Sequence, residues 1–239
     1  MEQEPIKAEE IKPKPDRKLL PKKIGLKQMY QKEYNAVPDL TPEMLATLGE
    51  IEDAFDMICW GDSGQGKTNF NMEVMCQLAI ALDCKATYIS WEEGHGKSLR
   101  NTLVRLNLLP RLGNRLEIMD GGTFEQVYAM MSKRKSTKIW VFDSIQASNF
   151  TQMQTAKLKN DFVLTKRKKI LLYISWEKGT EPKGSTAEAV KYYANIKIRI
   201  EKFIAFPTGR YGGNKNYIIW PEGAKKKWGS KLFNKHKNS

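Results

Sequence analysis

The stretch Gly61-Asp62-Ser63-Gly64-Gln65-Gly66-Lys67-Thr68 reads G-x-x-x-x-G-K-T and constrains the rest of the chain more than any other feature. Strand-forming residues Phe55 to Trp60 lead into it, and an apolar-periodic run from Phe70 to Leu82 leads out. That is the strand, loop and helix order such a motif requires. The glycines let successive backbone N–H groups turn inward, and the start of the following helix adds its partial positive charge, so the loop can cradle a polyphosphate. Gly61, Ser63, Gly64, Gln65, Gly66, Lys67 and Thr68 are therefore the candidate nucleotide-binding residues. Lys67 is expected to reach the β- and γ-phosphates and the Thr68 hydroxyl to ligate Mg²⁺.

Strands and helices alternate downstream. Ala86 to Trp91 is a β-branched and aromatic run that delivers the paired acids Glu92 and Glu93 at its end. One helix is expected over Lys97 to Leu108, closed by Pro110 and Gly113, then a short strand over Leu116 to Met119 and a helix from Phe124 to Met131. Lys138 to Asp143 reads as a strand buried on both faces with an acid at its tip. After a helix with a basic face comes the strand Ile170 to Trp176, then a polar loop from Glu177 to Thr186. Alternation at Ile196, Ile198 and Ile200 and again over Tyr217 to Trp220 predicts late strands, joined through the segment Pro207 to Gly213.

In an open α/β sheet ligands gather beyond the carboxyl ends of the strands, so Lys67, Glu92 and Asp143 should converge on one crevice. Asp143 is the candidate second holder of Mg²⁺, beside Thr68. Glu92 is the candidate to orient or deprotonate the attacking water, on the expectation that its strand lies next to the phosphate-loop strand; Glu93 is its alternative.

The net charge of +13 is unevenly placed. Residues 197–239 hold eleven lysines and arginines against only Glu201 and Glu222. Such an excess favours a polyanionic partner, nucleic acid first and an acidic membrane surface second, with a solubilising tail as the bland alternative. Cys59, Cys76 and Cys84 lack metal-ligand spacing and fit reduced, mostly buried thiols in the cytoplasm. No run of apolar residues is long enough to span a membrane. Residues 1–40 read as a charged, proline-punctuated arm, with a short helix suggested by Leu26, Met29, Tyr30 and Tyr34; residues 41–229 form the catalytic domain, and 230–239 a basic tail, disordered from Lys231.

From about Ile51 to Gly229 the chain resembles the RecA superfamily of ATPases, in its RadA, KaiC and phage recombinase branches. The motifs fall in that family's order: the phosphate loop, Tyr88 to Glu93 in place of the strand bearing the catalytic glutamate, and Val141-Phe142-Asp143-Ser144-Ile145-Gln146 in place of the Walker B strand. The resemblance implies an α/β RecA-like P-loop core with a mostly parallel central sheet, helices on both faces and late antiparallel strands. It also implies ATP and Mg²⁺ as cofactors, and a homo-oligomer, ring or filament, with ATP at subunit interfaces. Thr208-Gly209-Arg210-Tyr211-Gly212 looks like that family's Lys-Asn-Arg-Phe-Gly element, implying that Arg210 reaches the γ-phosphate of a neighbouring subunit; Thr208 stands where the family has a lysine. Single-stranded DNA is the implied partner, bound through loops matching Gln146 to Gln152 and Glu177 to Thr186, with the C-terminal lysines adding phosphate contacts. Trp176 and Trp228 are available either to stack on bases or to pack. The implied activity is ATP hydrolysis in recombination or repair; the rivals are a hexameric helicase or motor of the same superfamily, a KaiC-like nucleotide switch, and an accessory protein that binds nucleotide without turnover.

Overall fold

The computed structural model describes residues 23–237. These divide into a short unit ending at Tyr34, whose helix α1 is Leu26–Tyr30, and a compact unit beginning at Asn35. Most of the expected N-terminal arm lies outside the described residues.

The compact unit begins with α2 (Pro42–Leu48), where Thr41 caps the helix by accepting from the Met44 N–H at 3.3 Å and Pro42 occupies the first turn. Both residues suit their places, because a hydroxyl satisfies an orphan N–H there and proline has none to lose. Then follow β1 (Asp56–Gly61), α3 (Lys67–Ala81), β2 (Ala86–Ser90), α4 (Lys97–Arg105), α5 (Leu108–Leu112), β3 (Leu116–Met119), α6 (Phe124–Ser132) and β4 (Ile139–Asp143). After these come α7 (Gln152–Leu158), β5 (Ile170–Lys178), β6 (Glu181–Pro182), α8 (Ser185–Tyr193), β7 (Ile196–Glu201), β8 (Ile204–Gly209), β9 (Tyr217–Ile218), α9 (Pro221–Trp228) and α10 (Ser230–Lys237).

The main sheet runs β3-β2-β4-β5-β1-β7-β8-β9, with β6 paired to β5. All neighbours from β3 to β7 are parallel, and β7-β8 and β8-β9 are antiparallel. Side chains of a strand alternate between faces, and both faces are covered here. From β1 and β4, Met57, Cys59, Ile139 and Val141 enter the core under α3 to α5, while Ile58, Trp60, Trp140 and Phe142 enter the core under α6 to α8. Burial of each such apolar side chain stabilises the sheet by roughly 1.5–3 kcal/mol, which is why these strands read as continuous apolar runs.

Five expectations need correction. β1 is flanked by β5 and β7, so β2, the strand leading to Glu92, is separated from it by β4 and β5. The helix expected over Lys97 to Leu108 ends at Arg105: Asn107 takes a left-handed turn at φ 52° and Pro110 sits inside the separate α5. The turn joining the late strands is Lys202-Phe203, and Pro207 to Gly209 belong to β8. The polar loop expected over Glu177 to Thr186 contains the end of β5, β6 and the start of α8, a helix anchored by Ala187 and Val190. Finally, residues 230–237 are the helix α10 and not a disordered tail, because Phe233 is buried against Ile204 and Ala224.

Candidate active site

The phosphate loop joins β1 to α3 at the carboxyl edge of the parallel strands. Gly66 ends it as the N-cap of α3 with φ 99°, a left-handed conformation. A Cβ at Gly66 would also stand 3.2 Å from Ile219 and 3.4 Å from Phe203, so this position requires glycine both for its backbone angle and for space. Lys67 extends its ammonium back over the loop and donates to the Asp62 carbonyl at 2.9 Å. Its backbone carbonyl accepts from the Asn71 side chain, also at 2.9 Å, which fixes the first turn of α3.

Asp143 ends β4, and the register Ser90↔Asp143 brings the tips of β2 and β4 side by side. Its Oδ2 lies 3.4 Å from the Thr68 hydroxyl and accepts a short hydrogen bond from the Tyr88 hydroxyl. Burial pushes the Asp143 carboxyl up to about 6; the Tyr88 hydrogen bond lowers it, the charges of Glu92 and Glu93 raise it further, and Lys67 opposes them. A buried acid raised by desolvation and by like charges is a group that a cation would return to its ionised form. The donor set fits Mg²⁺: a hydroxyl and a carboxylate, both hard oxygens, stand at one point, with Lys67 beside them. Thr68 and Asp143 would hold the ion.

Lys67, Thr68, Glu92, Glu93 and Asp143 all line one cleft of about 1090 Å³. Glu92 therefore reaches the site although its strand is not the neighbour of β1: the segment after β2 carries it forward past the tip of β4. Its Oε1 accepts the indole N–H of Trp176, which projects from β5 between β4 and β1. Lys183 stands over the same indole ring, 5.1 Å from its centroid. Gln146, after β4, receives the Trp176 backbone N–H at 3.1 Å and donates to Ser175 and to the Lys183 carbonyl. Trp176 thus holds the carboxylate that the sequence nominates as the base. Trp228 instead packs among Phe206, His236 and Lys202, and is not free to stack on a ligand.

Arg210 is not part of this cleft. Gly209 pairs with Ile196 at the amino end of β7, and the Arg210 N–H bonds to the Asn195 carbonyl, so the exposed arginine stands at the end of the sheet opposite the phosphate loop.

The sequence reading missed the far wall. Phe203, Ile219 and Trp220 from the late segment, Thr102 and Arg105 from α4, and Leu106 just after it complete the cleft. The short gap between the Ile200 alternation and Ile204 was the available signal for the turn that carries Phe203.

No family model matches the chain, and no curated protein matches it. Solved structures do. The KaiC-like protein PH0186 of Pyrococcus horikoshii matches with a TM-score of 0.50 and 15% identity over 68% of this chain and 81% of that one. The flagellar accessory protein FlaH of Methanocaldococcus jannaschii gives 0.55 and 20% over 77% and 94%. A third structure, of an isolated ATPase domain, gives 0.51 and 14% over 78% and 88%. Together with the mostly parallel central sheet covered by helices on both faces, these likenesses show that the chain has a RecA-like ATPase fold.

Proposed function

We propose that the chain binds ATP with Mg²⁺ in this cleft, hydrolyses it within a head-to-tail homo-oligomer, and acts on single-stranded DNA in recombination or repair, as a protein of a phage or other mobile element. The observation that carries the reading is the approach of Thr68 to Asp143 at 3.4 Å in the cleft that Lys67 and Glu92 also line. Mg²⁺ would supply neutralisation of the phosphate charge. Lys67 binds the phosphates as a point charge. Glu92, aligned by the Trp176 indole, accepts the proton of the attacking water; Glu93 is its alternative.

Arg210 supplies a cation from the adjacent subunit. Its position at the opposite end of the sheet supports action across an interface and not within its own chain. The test mixes two inactive proteins, Lys67→Ala and Arg210→Ala. Random head-to-tail mixing pairs an intact loop with an intact arginine at about one interface in four, so activity should return to that order. Mixtures as inactive as either parent, with subunit exchange demonstrated, would mean that Arg210 does not act in trans.

The basic late segment supports a nucleic-acid partner. ATPase rate with and without single-stranded DNA tests it, and stimulation is expected. One observation favours a second reading, a nucleotide switch that ignores nucleic acid: Gln146 to Gln152 carries no charge, and Glu177 to Thr186 offers only Lys178 and Lys183. Turnover unaffected by DNA at any salt would select it. No helix among the described residues is long and apolar enough to cross a membrane.

A further inference from the structure

We propose that the cleft contains a separate subsite for the nucleobase, whose platform is the half-exposed ring of Trp220 backed by Phe203 and Ile219, and that it takes purines by stacking without distinguishing adenine from guanine. The inference rests on the nucleotide reading above and adds what the base itself meets.

Three observations converge on it. The first is the Lys202-Phe203 turn between β7 and β8, where φ is 48° and 65°. A two-residue turn with both angles positive calls for Asn-Gly or a similar pair, and a bulky aromatic residue is out of place there. Residues held in such conformations concentrate at ligand clamps, where surrounding contacts fix them. Here the fixing contacts lead to the phosphate loop: the Gln65 side chain accepts the Lys202 N–H at 2.5 Å, and Phe203 and Ile219 lie over Gly66. The Phe203 carbonyl in turn accepts the Ile219 N–H at 2.9 Å.

The second is Trp220, half exposed at 50% and yet held in place. Phe203 meets its ring edge-on with centroids 4.9 Å apart. Gly223 lies so close that a Cβ there would stand 2.2 Å from the ring. The indole is thus fixed from behind while it lines the cleft. Apolar aromatic surface left exposed beside a phosphate loop is suited to a planar heterocycle.

The third is the facing wall on α4. There the Arg105 guanidinium donates to Asn69 Oδ1 of α3 at 2.7 Å and to Thr102 Oγ1 of its own helix at 3.3 Å. These three side chains are held by one another, which leaves the exposed indole as the surface that meets the base. Stacking remains, and stacking discriminates by ring area because every base offers a π-face.

The experiment is calorimetric titration of the full chain with ATP, GTP, CTP and inorganic tripolyphosphate. ATP and GTP should bind within about threefold of each other, with CTP weaker. Trp220→Ala should weaken ATP about tenfold and leave tripolyphosphate unchanged. Trp220→Phe should recover most of the loss, and Gly223→Ala, which displaces the ring, should follow Trp220→Ala. The proposal is overturned if Trp220→Ala and Trp220→Phe both bind ATP as the natural chain does, if Trp220→Ala loses ATP and tripolyphosphate in parallel, or if ATP is preferred to GTP by more than about tenfold. A natural chain that binds tripolyphosphate as tightly as ATP removes the base subsite alone. One that binds neither removes the nucleotide reading with it.

Discussion

The parallel core, residues 56–178, and the late segment, residues 196–237, contribute to the same cleft by different physics. The core offers backbone and strand tips: a glycine-rich loop, a helix start, and acids at the ends of strands whose apolar runs leave little freedom of placement. The late segment offers side chains. Phe203, Ile219 and Trp220 reach the loop only because β7 lies beside β1 and the hairpin folds back over Gly66. The first arrangement is directional and tolerates no displacement, since a phosphate site depends on hydrogen-bond geometry. The second is an area effect, and area is additive and forgiving. Perturbing the core should therefore abolish function, and perturbing the late segment should grade it.

The largest expected effect is that of Lys67→Ala. It removes the point charge at the phosphates, so turnover should fall by at least ~10²-fold, and binding of ATP and of tripolyphosphate should be lost together. Because Lys67 bonds only to a loop carbonyl, the melting temperature should stay near that of the natural chain. A variant that still hydrolyses ATP would break the contrast at its strongest point. Glu92→Gln comes next, with nucleotide affinity kept and turnover reduced by ~10²–10⁴, the usual range for a general base. The amide can still accept from Trp176, so the loss reports proton transfer and not position. If Glu93→Gln is the inactive variant instead, the role passes to its neighbour.

The same contrast explains what could be read from the sequence. The phosphate loop is eight contiguous residues whose chemistry is local, and Asp143 is marked by the apolar strand it terminates. The order of the strands is not local: the expectation that Glu92 lay beside the phosphate-loop strand failed because β4 and β5 are inserted between β2 and β1, which no pattern within β2 records. Glu92 reaches the cleft regardless, since ligands collect at the carboxyl ends of several strands and not of one. The base wall was invisible for a related reason. Residue 203 and the pair 219–220 lie far from residue 105 in the chain, and the apolar side chains of Phe203, Ile219 and Trp220 suit core packing equally well. α10 was misread because its lysines outnumber its apolar residues, so its buried residue Phe233 carried no periodic signal.

The basic face of the late segment gives a graded test. Since α10 is packed through Phe233, deleting it would disturb the fold, and neutralisation is the cleaner experiment. Lys225, Lys226, Lys227, Lys231 and Lys237 are exposed. Changing all five to Gln should flatten the dependence of single-stranded DNA affinity on salt by ~0.7 in log-log slope for each lysine that contacts a phosphate. An unchanged slope would make this face a solubilising surface and leave the late segment with the base alone.

The smallest effect expected is on stability, and it comes from the core. In the folded chain the Asp143 carboxyl is pushed up, mainly by burial, to about 6 from an ordinary 3.8. Between those values the folded state binds more protons than the unfolded one, so whatever stability this group gives is fully present below about pH 4, is lost as pH rises, and is at its constant minimum above about pH 6. Asp143→Asn removes the ionisable group while its amide oxygen can still accept from Tyr88. Without Mg²⁺ the variant should exceed the natural chain in stability by about 1–3 kcal/mol at pH 8, a size set by how far burial lifts the carboxyl above its ordinary value, and the difference should close toward pH 4. Adding Mg²⁺ with nucleotide should raise the melting temperature of the natural chain and leave that of the variant nearly unmoved, because ligand that binds only the folded state stabilises by mass action. Paired melts at pH 5 and pH 8, with chelator and with Mg²⁺-nucleotide, measure all of this. A variant less stable than the natural chain at pH 8 in chelator would mean that the Asp143 carboxylate is a net structural asset, its hydrogen bond from Tyr88 outweighing the cost of its burial.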